Sequence, residues 1–233
     1  MFVIGGIQKT SLVDFPSKVA AIVFTQGCNF RCGYCHNPSL ISKSHFELDS
    51  ESFTKEKFFS FLKNRIGKLD GVVITGGEPT LQSGLYDFIK EIKQMRFEVK
   101  LDTNGTNPKI IEHLIKDNLL DYIAMDIKAP IEKYDLITCV NTNKDNILKT
   151  IELIKNSKVD YEFRTTVLKS QLSYENFDQI GHMIEGAKRY YLQKFVPAEI
   201  LDKKLVTEVT YSNEEFKTIC ENLKKYIEFV DYR

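Results

Sequence analysis

The chain has 233 residues, 42% of them hydrophobic, with 32 basic and 32 acidic side chains. That length suits one α/β domain, zero net charge gives no general field to attract nucleic acid, and no apolar run approaches the ~20 residues of a membrane span. The opening Met1-Phe2-Val3-Ile4-Gly5-Gly6 lacks the basic flank and long apolar stretch of a signal peptide, so a cytoplasmic protein with reduced thiols is expected. Five cysteines, three of them clustered, argue against a disulfide framework.

In chain order, residues 1–18 read as a short N-terminal segment turning at Gly5-Gly6. Val19–Thr25 is a continuous apolar run of strand length, the pattern of a strand buried on both faces of a parallel sheet. Cys28-Asn29-Phe30-Arg31-Cys32-Gly33-Tyr34-Cys35 follows at its C-terminal end, then a polar connection over 38–52. A helix is expected over 54–66, with Phe58, Phe59, Leu62 and Ile66 on one side and Gly67 as its stop. The strand Gly71–Thr75 ends in Gly76-Gly77-Glu78-Pro79, and Ser83 is placed to cap a helix whose Leu85, Phe88, Ile89, Ile92 and Met95 recur with helical period. The strand Glu98–Asp102 ends in Thr103-Asn104-Gly105, after which Asn107 and Pro108 form a cap and first-turn proline for a helix with Ile110, Ile111, Leu114 and Ile115 inward.

A fourth strand is read over 122–128, with a helix near 145–156 that buries Ile147, Leu148, Ile151 and Ile154. Then come a strand over 161–167, a helix over 174–185 with Phe177, Ile180 and Ile184, and a strand over 189–195 closed by Pro197. Ser212-Asn213-Glu214-Glu215 is a capping-box pattern that opens a last helix, 212–227, with Phe216, Ile219, Cys220 and Leu223 inward, and residues 229–233 fit a short final strand.

Six strand–helix units without a linker predict a single domain, 1–233, with its core at about 19–197. Alternating strands and helices imply right-handed crossovers and a parallel sheet. The loop after the first strand holds cysteines where a dinucleotide-binding sheet would carry its glycine fingerprint. Six units are too few for a closed eight-stranded barrel, so an open, partial (β/α)6 TIM-like barrel is expected. Such sheets place their sites at the C-terminal strand ends. The cysteine loop, Gly76–Pro79, Asp102–Gly105, Asp126 with Lys128, Arg164 with Thr166, and Gln193 all fall there.

Cys28, Cys32 and Cys35, spaced C-x3-C-x2-C, gather three thiolates but no fourth. A structural zinc site wants four protein ligands, and iron–sulfur clusters are usually held by four cysteines. Three thiolates on a four-iron cube leave one iron open to a non-protein ligand. His36 could instead complete a Cys3His zinc site, so both metals stand on spacing alone. Gly-Gly-Glu-Pro and Asn-Gly are also ordinary turn sequences, Asp126 and Lys128 could be a surface ion pair, and Arg164 could serve only to balance Glu162. Cys139 and Cys220 read as packing residues, and His45, His113 and His182 are given no role.

The C-x3-C-x2-C spacing with Tyr34 before the last cysteine, together with Gly76-Gly77-Glu78-Pro79 after the second strand, resembles the radical S-adenosylmethionine (SAM) superfamily. Ser11-Leu12-Val13-Asp14-Phe15-Pro16, Cys35-His36-Asn37-Pro38, Asp102-Thr103-Asn104-Gly105 and Met125-Asp126-Ile127-Lys128 are similar to the glycyl-radical-enzyme activases within it. The resemblance implies a [4Fe–4S] cluster on Cys28, Cys32 and Cys35 whose open iron chelates SAM. A reduced cluster would split the sulfonium, and the resulting 5′-deoxyadenosyl radical would take an Hα from a glycine of a partner enzyme. Residues 38–53 hold no cysteine, so one cluster is implied, without a ferredoxin-like insert.

By the same resemblance the backbone of Gly76, Gly77 and Glu78 meets the SAM amino group, Asp126 and Lys128 contact SAM, and Tyr34 and His36 lie near its adenine. Asp102, Thr103 and Asp126 would ligate a monovalent cation beside the SAM carboxylate, and Arg164 and Gln193 would complete the site. The partner implied is a glycyl radical enzyme, with anaerobic ribonucleotide reductase the family's usual one, and the electron donor is of flavodoxin or ferredoxin type. The alternatives are a radical SAM enzyme acting on a small molecule or peptide, such as a 7-deazaguanine-type synthase, and a zinc-binding interaction module.

Overall fold

The computed structural model describes residues 2–41, 54–197 and 199–233. His45 and most of the expected polar connection lie outside the described residues. Eight strands and seven α-helices alternate along the described chain, and the strands succeed one another across the sheet in chain order, β1 to β8. Parallel strands added in chain order, each reached through a helix, have the topology of a partial (β/α) barrel, the class predicted from the alternation. Beyond the six expected units the sheet carries the expected short final strand, β8, and one strand that was not foreseen, β1. No helix among the described residues is long and apolar enough to cross a membrane.

The chain divides into two compact units. The first comprises Met1–Asn29, Ser39–Thr103 and Asn107–Ile123. Its β1 (Ile4–Ser11) runs antiparallel to β2 (Ala20–Thr25). The turn expected at Gly5-Gly6 is therefore a strand, and the register shift between Ile4 and Gly6 is a bulge there. Glycine suits the bulge because a Cβ on Gly5 would stand 2.6 Å from Leu40 Cδ2. Past β1 the Ser11 hydroxyl bonds the Asp14 carboxylate and accepts the N–H groups of Val13 and Asp14.

β2 pairs in parallel with β3 (Gly71–Gly76), from Ala20 opposite Gly71 to Thr25 opposite Gly76, and β3 pairs in parallel with β4 (Glu98–Thr103). The unbroken apolar runs are explained by burial: Ala20–Val23 and Val72–Ile74 are all at most 3% exposed. Helix α1 (Lys55–Lys63) is capped by the Thr54 hydroxyl and ends three residues earlier than predicted, because turns at 64–67 finish it and Gly67 takes φ +74°. Ile66 is thereby left exposed. Helix α2 (Leu85–Gln94) starts after Gly84, so Ser83 is not its cap; Leu85, Phe88, Ile89 and Ile92 are fully buried as predicted. Helix α3 (Pro108–Lys116) opens on its proline, while the Asn107 amide donates to Thr80 O at 3.0 Å instead of capping. Ile111 and Leu114 are its buried pair.

The second unit comprises Phe30–Pro38, Asn104–Thr106 and Ala124–Arg233. Strand β5 (Tyr122–Asp126) stops two residues short of the predicted Lys128. Helix α4 (Tyr134–Thr138), which the sequence reading missed, is one short turn with Tyr134 and Ile137 buried; it ends on Cys139, whose φ of +55° is left-handed. Helix α5 (Lys144–Lys155) buries Ile147, Ile151 and Ile154 but not Leu148, which lies just off that stripe. Strands β6 (Asp160–Val167), β7 (Arg189–Lys194) and β8 (Phe229–Tyr232) pair in parallel, with helix α6 (Tyr174–Met183) between the first two. Helix α7 (Asn213–Leu223) carries the predicted capping box: Glu215 N–H donates to Ser212 Oγ at 3.2 Å and Ser212 N–H to Glu215 Oε2 at 2.8 Å.

Candidate active site

In the first unit, β2 and β3 end side by side and their glycines permit the contact. Gly76 has φ +113°, and a Cβ there would lie 2.3 Å from Thr25 N; on Gly77 it would lie 2.1 Å from Gly27 O. The amides of this motif are used locally: Gly77 N–H donates to Thr25 O at 2.9 Å and Glu78 N–H to Gly27 O at 2.8 Å. The segment entering Cys28 is held on its other side, where Gly27 N–H donates to Leu40 O and Cys28 N–H to Ile41 O. The glycine motif therefore clamps the root of the cysteine loop, a structural reason for its residues that the motif alone did not disclose.

Glu78 is 1% exposed, and its Oε1 accepts from Thr80 N (3.1 Å), Thr80 Oγ1 (2.5 Å) and Thr103 Oγ1 (2.8 Å). On the next strand, β4, Lys100 Nζ stands 2.6 Å from Asp102 Oδ1, with the lysine side chain 3% exposed. Lys100 was not among the predicted site residues. The signal available was its place two before Asp102 on a strand, which sets both side chains on one face.

In the second unit, Cys32 is buried and Cys35 half-buried, with Cys35 N–H donating to Cys32 O at 3.0 Å. The loop is anchored on helix α4: Arg31 N–H donates to Thr138 O at 2.8 Å and the Phe30 ring meets Tyr134 edge-on. The segment at 201–205 covers it, with Leu201 N–H donating to Cys35 O and Asp202 N–H to Gly33 O. Gly33 admits this cover, since a Cβ there would sit 2.8 Å from Leu205 Cδ1. Neither support was legible beforehand, because both depend on pairing distant segments.

Asp126, at the end of β5, bonds Arg164 Nε from β6 at 2.9 Å and Lys128 Nζ at 3.0 Å, one cation on each oxygen. Glu162, the partner considered for Arg164, is instead paired with Arg233 at 2.6 Å. Burial alone would raise the Asp126 carboxyl, but the Arg164 guanidinium and the Lys128 ammonium override it and hold it well below the usual carboxylate range. Burial disfavours the Lys128 ammonium too, yet Asp126 keeps it protonated well above the usual lysine range. Lys128 N–H donates to the Tyr134 hydroxyl (3.2 Å), and Ile127 is fixed between these charges by its N–H bond to Arg164 O (2.7 Å).

The Lys128 ammonium lies over the Tyr34 ring, 5.8 Å from its centroid. Tyr34 is 5% exposed, and its buried hydroxyl finds no hydrogen-bond partner among the described residues. Burial pushes the Tyr34 phenol well up, and the same cause raises the Cys32 thiol, with Lys128 acting the other way. Thus Tyr34, Asp126, Lys128 and Arg164 form one group, within electrostatic reach of Cys32. His36 stands apart from it, exposed, with Nε2 3.1 Å from Val196 O and its ring stacked on Phe195. Gln193 is half-buried on β7, opposite Thr166. Cys220 is buried as expected, but Cys139 is exposed rather than packed.

All five cysteines are free thiols. No three His, Cys, Asp or Glu side chains converge at metal-binding distance among the described residues, so fitness for a cluster rests on the donor chemistry: three reduced thiols in one short loop, one of them beside a buried ammonium. The Tyr34 hydroxyl, without a partner among the described residues, suits a polar group from a bound ligand.

The radical SAM superfamily model matches residues 22–186. The chain belongs to the radical SAM superfamily. Membership implies a [4Fe–4S] cluster and SAM as cofactors and makes the chain a radical SAM enzyme. A protein of Methanocaldococcus jannaschii, provisionally named a glycyl-radical enzyme activating enzyme, is 34% identical over 99% of this chain and 95% of its own. The pyruvate formate-lyase-activating enzyme of Clostridium pasteurianum is 28% identical over 97% of this chain and 98% of its own. Among solved structures, Streptococcus suis SuiB bound to SAM superposes with a TM-score of 0.66 at 15% identity, over 89% of this chain but 48% of SuiB, so the chain spans about half of that protein and shares its fold.

Proposed function

We propose that this radical SAM enzyme is the activase of a glycyl radical enzyme, with anaerobic ribonucleotide reductase as its partner. Cys28, Cys32 and Cys35 would hold the cluster, which when bound supplies the single electron that splits SAM into methionine and a 5′-deoxyadenosyl radical. Lys128 carries the carboxylate of SAM as a point charge. Asp126, kept ionised, fixes the lysine and Arg164 in place. Tyr34, packed under the ammonium, offers its ring and hydroxyl to the nucleoside part, and the carbonyls of the Gly76-Gly77-Glu78 segment receive the amino group. By their places in the sequence, His36, Asp102 and Gln193 are further candidates for contact with SAM in this reading. The cover at 201–205, bonded to Gly33 and Cys35 of the loop, would help to shield bound SAM from water, which is the protein's share of such chemistry. A flavodoxin- or ferredoxin-type donor in the cytoplasm supplies the electron.

The observation that carries this reading is the Lys128 ammonium 5.8 Å over the ring of Tyr34, a residue of the cysteine loop, and paired to an ionised Asp126. The activase class is supported by relatives that align over nearly their whole length. Anaerobic mixing of the loaded protein, SAM, reductant and the candidate reductase tests it. A glycine-centred radical on the reductase, in step with deoxyadenosine release, is the expected result. Deoxyadenosine without a radical on the partner would remove the activase assignment.

A further inference from the structure

Lys128 is held at its head and at its root. Its ammonium bonds Asp126 Oδ2 at 3.0 Å. Its root is the peptide that joins it to Ile127, just past the last residue of β5. The Lys128 N–H donates to the Tyr134 hydroxyl at 3.2 Å, and the Ile127 carbonyl accepts from Thr165 Oγ1 at 2.7 Å. Those two backbone groups belong to one rigid, planar unit, so bonds at both of its ends stop it from turning. Thr165 Oγ1 in turn accepts from the Tyr190 hydroxyl of β7 at 2.7 Å. The order of donors is forced: a carbonyl only accepts, so the single threonine proton goes to Ile127 and the tyrosine must donate to the threonine. Ile127, Tyr134, Thr165 and Tyr190 are each at most 1% exposed, and all lie in the second unit.

We propose that Tyr190 is a positioning residue for SAM binding: acting through Thr165 and the Ile127 carbonyl, it sets the direction in which the Lys128 side chain leaves the backbone. A threonine hydroxyl can rotate to suit several partners. The Tyr190 proton on one of its lone pairs turns its own proton towards Ile127, and bonds in such a buried chain strengthen one another. Lysine has a flexible four-carbon stem, so a fixed root and a fixed head together leave its ammonium little freedom to lose when a ligand binds. A buried hydroxyl is costly unless bonded. Phenylalanine would fill the Tyr190 site without that cost, so the bond to Thr165 is what the hydroxyl contributes. The inference rests on the reading that Lys128 carries the SAM carboxylate.

The test uses the anaerobically loaded full chain as wild type, Tyr190→Phe, Lys128→Met and the double variant. SAM is titrated into each calorimetrically, and amide hydrogen exchange is followed without SAM across residues 126–129. Tyr190→Phe is expected to weaken SAM binding roughly threefold to tenfold, the range for one lost hydrogen bond, with iron content unchanged and exchange of the Lys128 amide at least about threefold faster, as for a local opening. In the Lys128→Met background the same change is expected to alter SAM affinity less than twofold, because the side chain it aims is gone. Wild-type affinity in Tyr190→Phe overturns the proposal. So does an equal loss in both backgrounds, which is how a merely structural tyrosine behaves. If Lys128→Met itself binds SAM normally, the site reading fails on its own, and the exchange series decides. Faster exchange at the Lys128 amide, with the amides of helix α7 unchanged, then supports the hold on that peptide; unchanged exchange at Lys128 overturns it. Should Tyr190→Phe not fold, Thr165→Val is taken through the same series and judged by the same criteria.

Discussion

The two polar clusters at the strand ends differ in composition. At β4 one ammonium, Lys100, meets one carboxylate, Asp102, and both side chains are at most 15% exposed. Where β5 and β6 end, one carboxylate, Asp126, stands against two cations, Lys128 and Arg164. The first is an aspartate and a lysine two residues apart on one strand face. The second gathers an aspartate, a lysine and an arginine from two strands beside a Tyr34 hydroxyl that finds no partner among the described residues. A buried ammonium next to such a hydroxyl suits an anionic, hydrogen-bonding ligand.

Perturbations should separate the loop and the two clusters by size. Cys32→Ala is expected to abolish the intact cluster and SAM cleavage, read as iron and sulfide content and deoxyadenosine yield. Gly77→Ala should destabilise the protein by ~1–3 kcal/mol, the usual range for overpacking, because its methyl would sit 2.1 Å from Gly27 O; thermal melting and a lowered iron content would show that the clamp and the cysteine loop fail together. Lys128→Ala should weaken SAM binding roughly tenfold to a hundredfold, as for the loss of a charge-assisted hydrogen bond, with the iron spectrum unchanged. Unaltered SAM affinity would take Lys128 out of the site.

A smaller effect follows from acid. The folded Asp126 carboxyl sits below its unfolded value, so the stability it contributes is present above about pH 4, the ordinary carboxyl range, and is lost as pH falls through the lower folded value. The destabilisation caused by Asp126→Asn should therefore be constant at neutral pH and shrink only in strong acid, as denaturant melts across pH would record. The smallest contrast lies between two thiols. Cys220, pushed up to about 11 by burial, should resist iodoacetamide at neutral pH, whereas exposed Cys139 should be alkylated first, as mass spectrometry of the loaded protein would show.

The alternation of apolar strands and amphipathic helices was legible because burial on both faces leaves unbroken runs such as Ala20–Val23. The capping box at Ser212–Glu215 was legible because its geometry is local. Strand β1 was hidden by Gly5-Gly6, which reads as a turn but serves a bulge. Helix α4 is too short for its period to register, yet it carries the Thr138 carbonyl and Tyr134 ring that hold the cysteine loop. Asp126 and Lys128 could be singled out from sequence by a motif. That Arg164 joins them needed the pairing of strands, whereas Lys100, two before Asp102 on one strand, could have been singled out from spacing.

The central claim is that three thiolates leave one metal position for SAM. Mössbauer spectroscopy of the anaerobically loaded, iron-57-enriched protein, with and without SAM, tests it most directly. Four irons per chain are expected, one of which changes its isomer shift when SAM is added. Four irons indifferent to SAM, or stoichiometric zinc without sulfide, would contradict it.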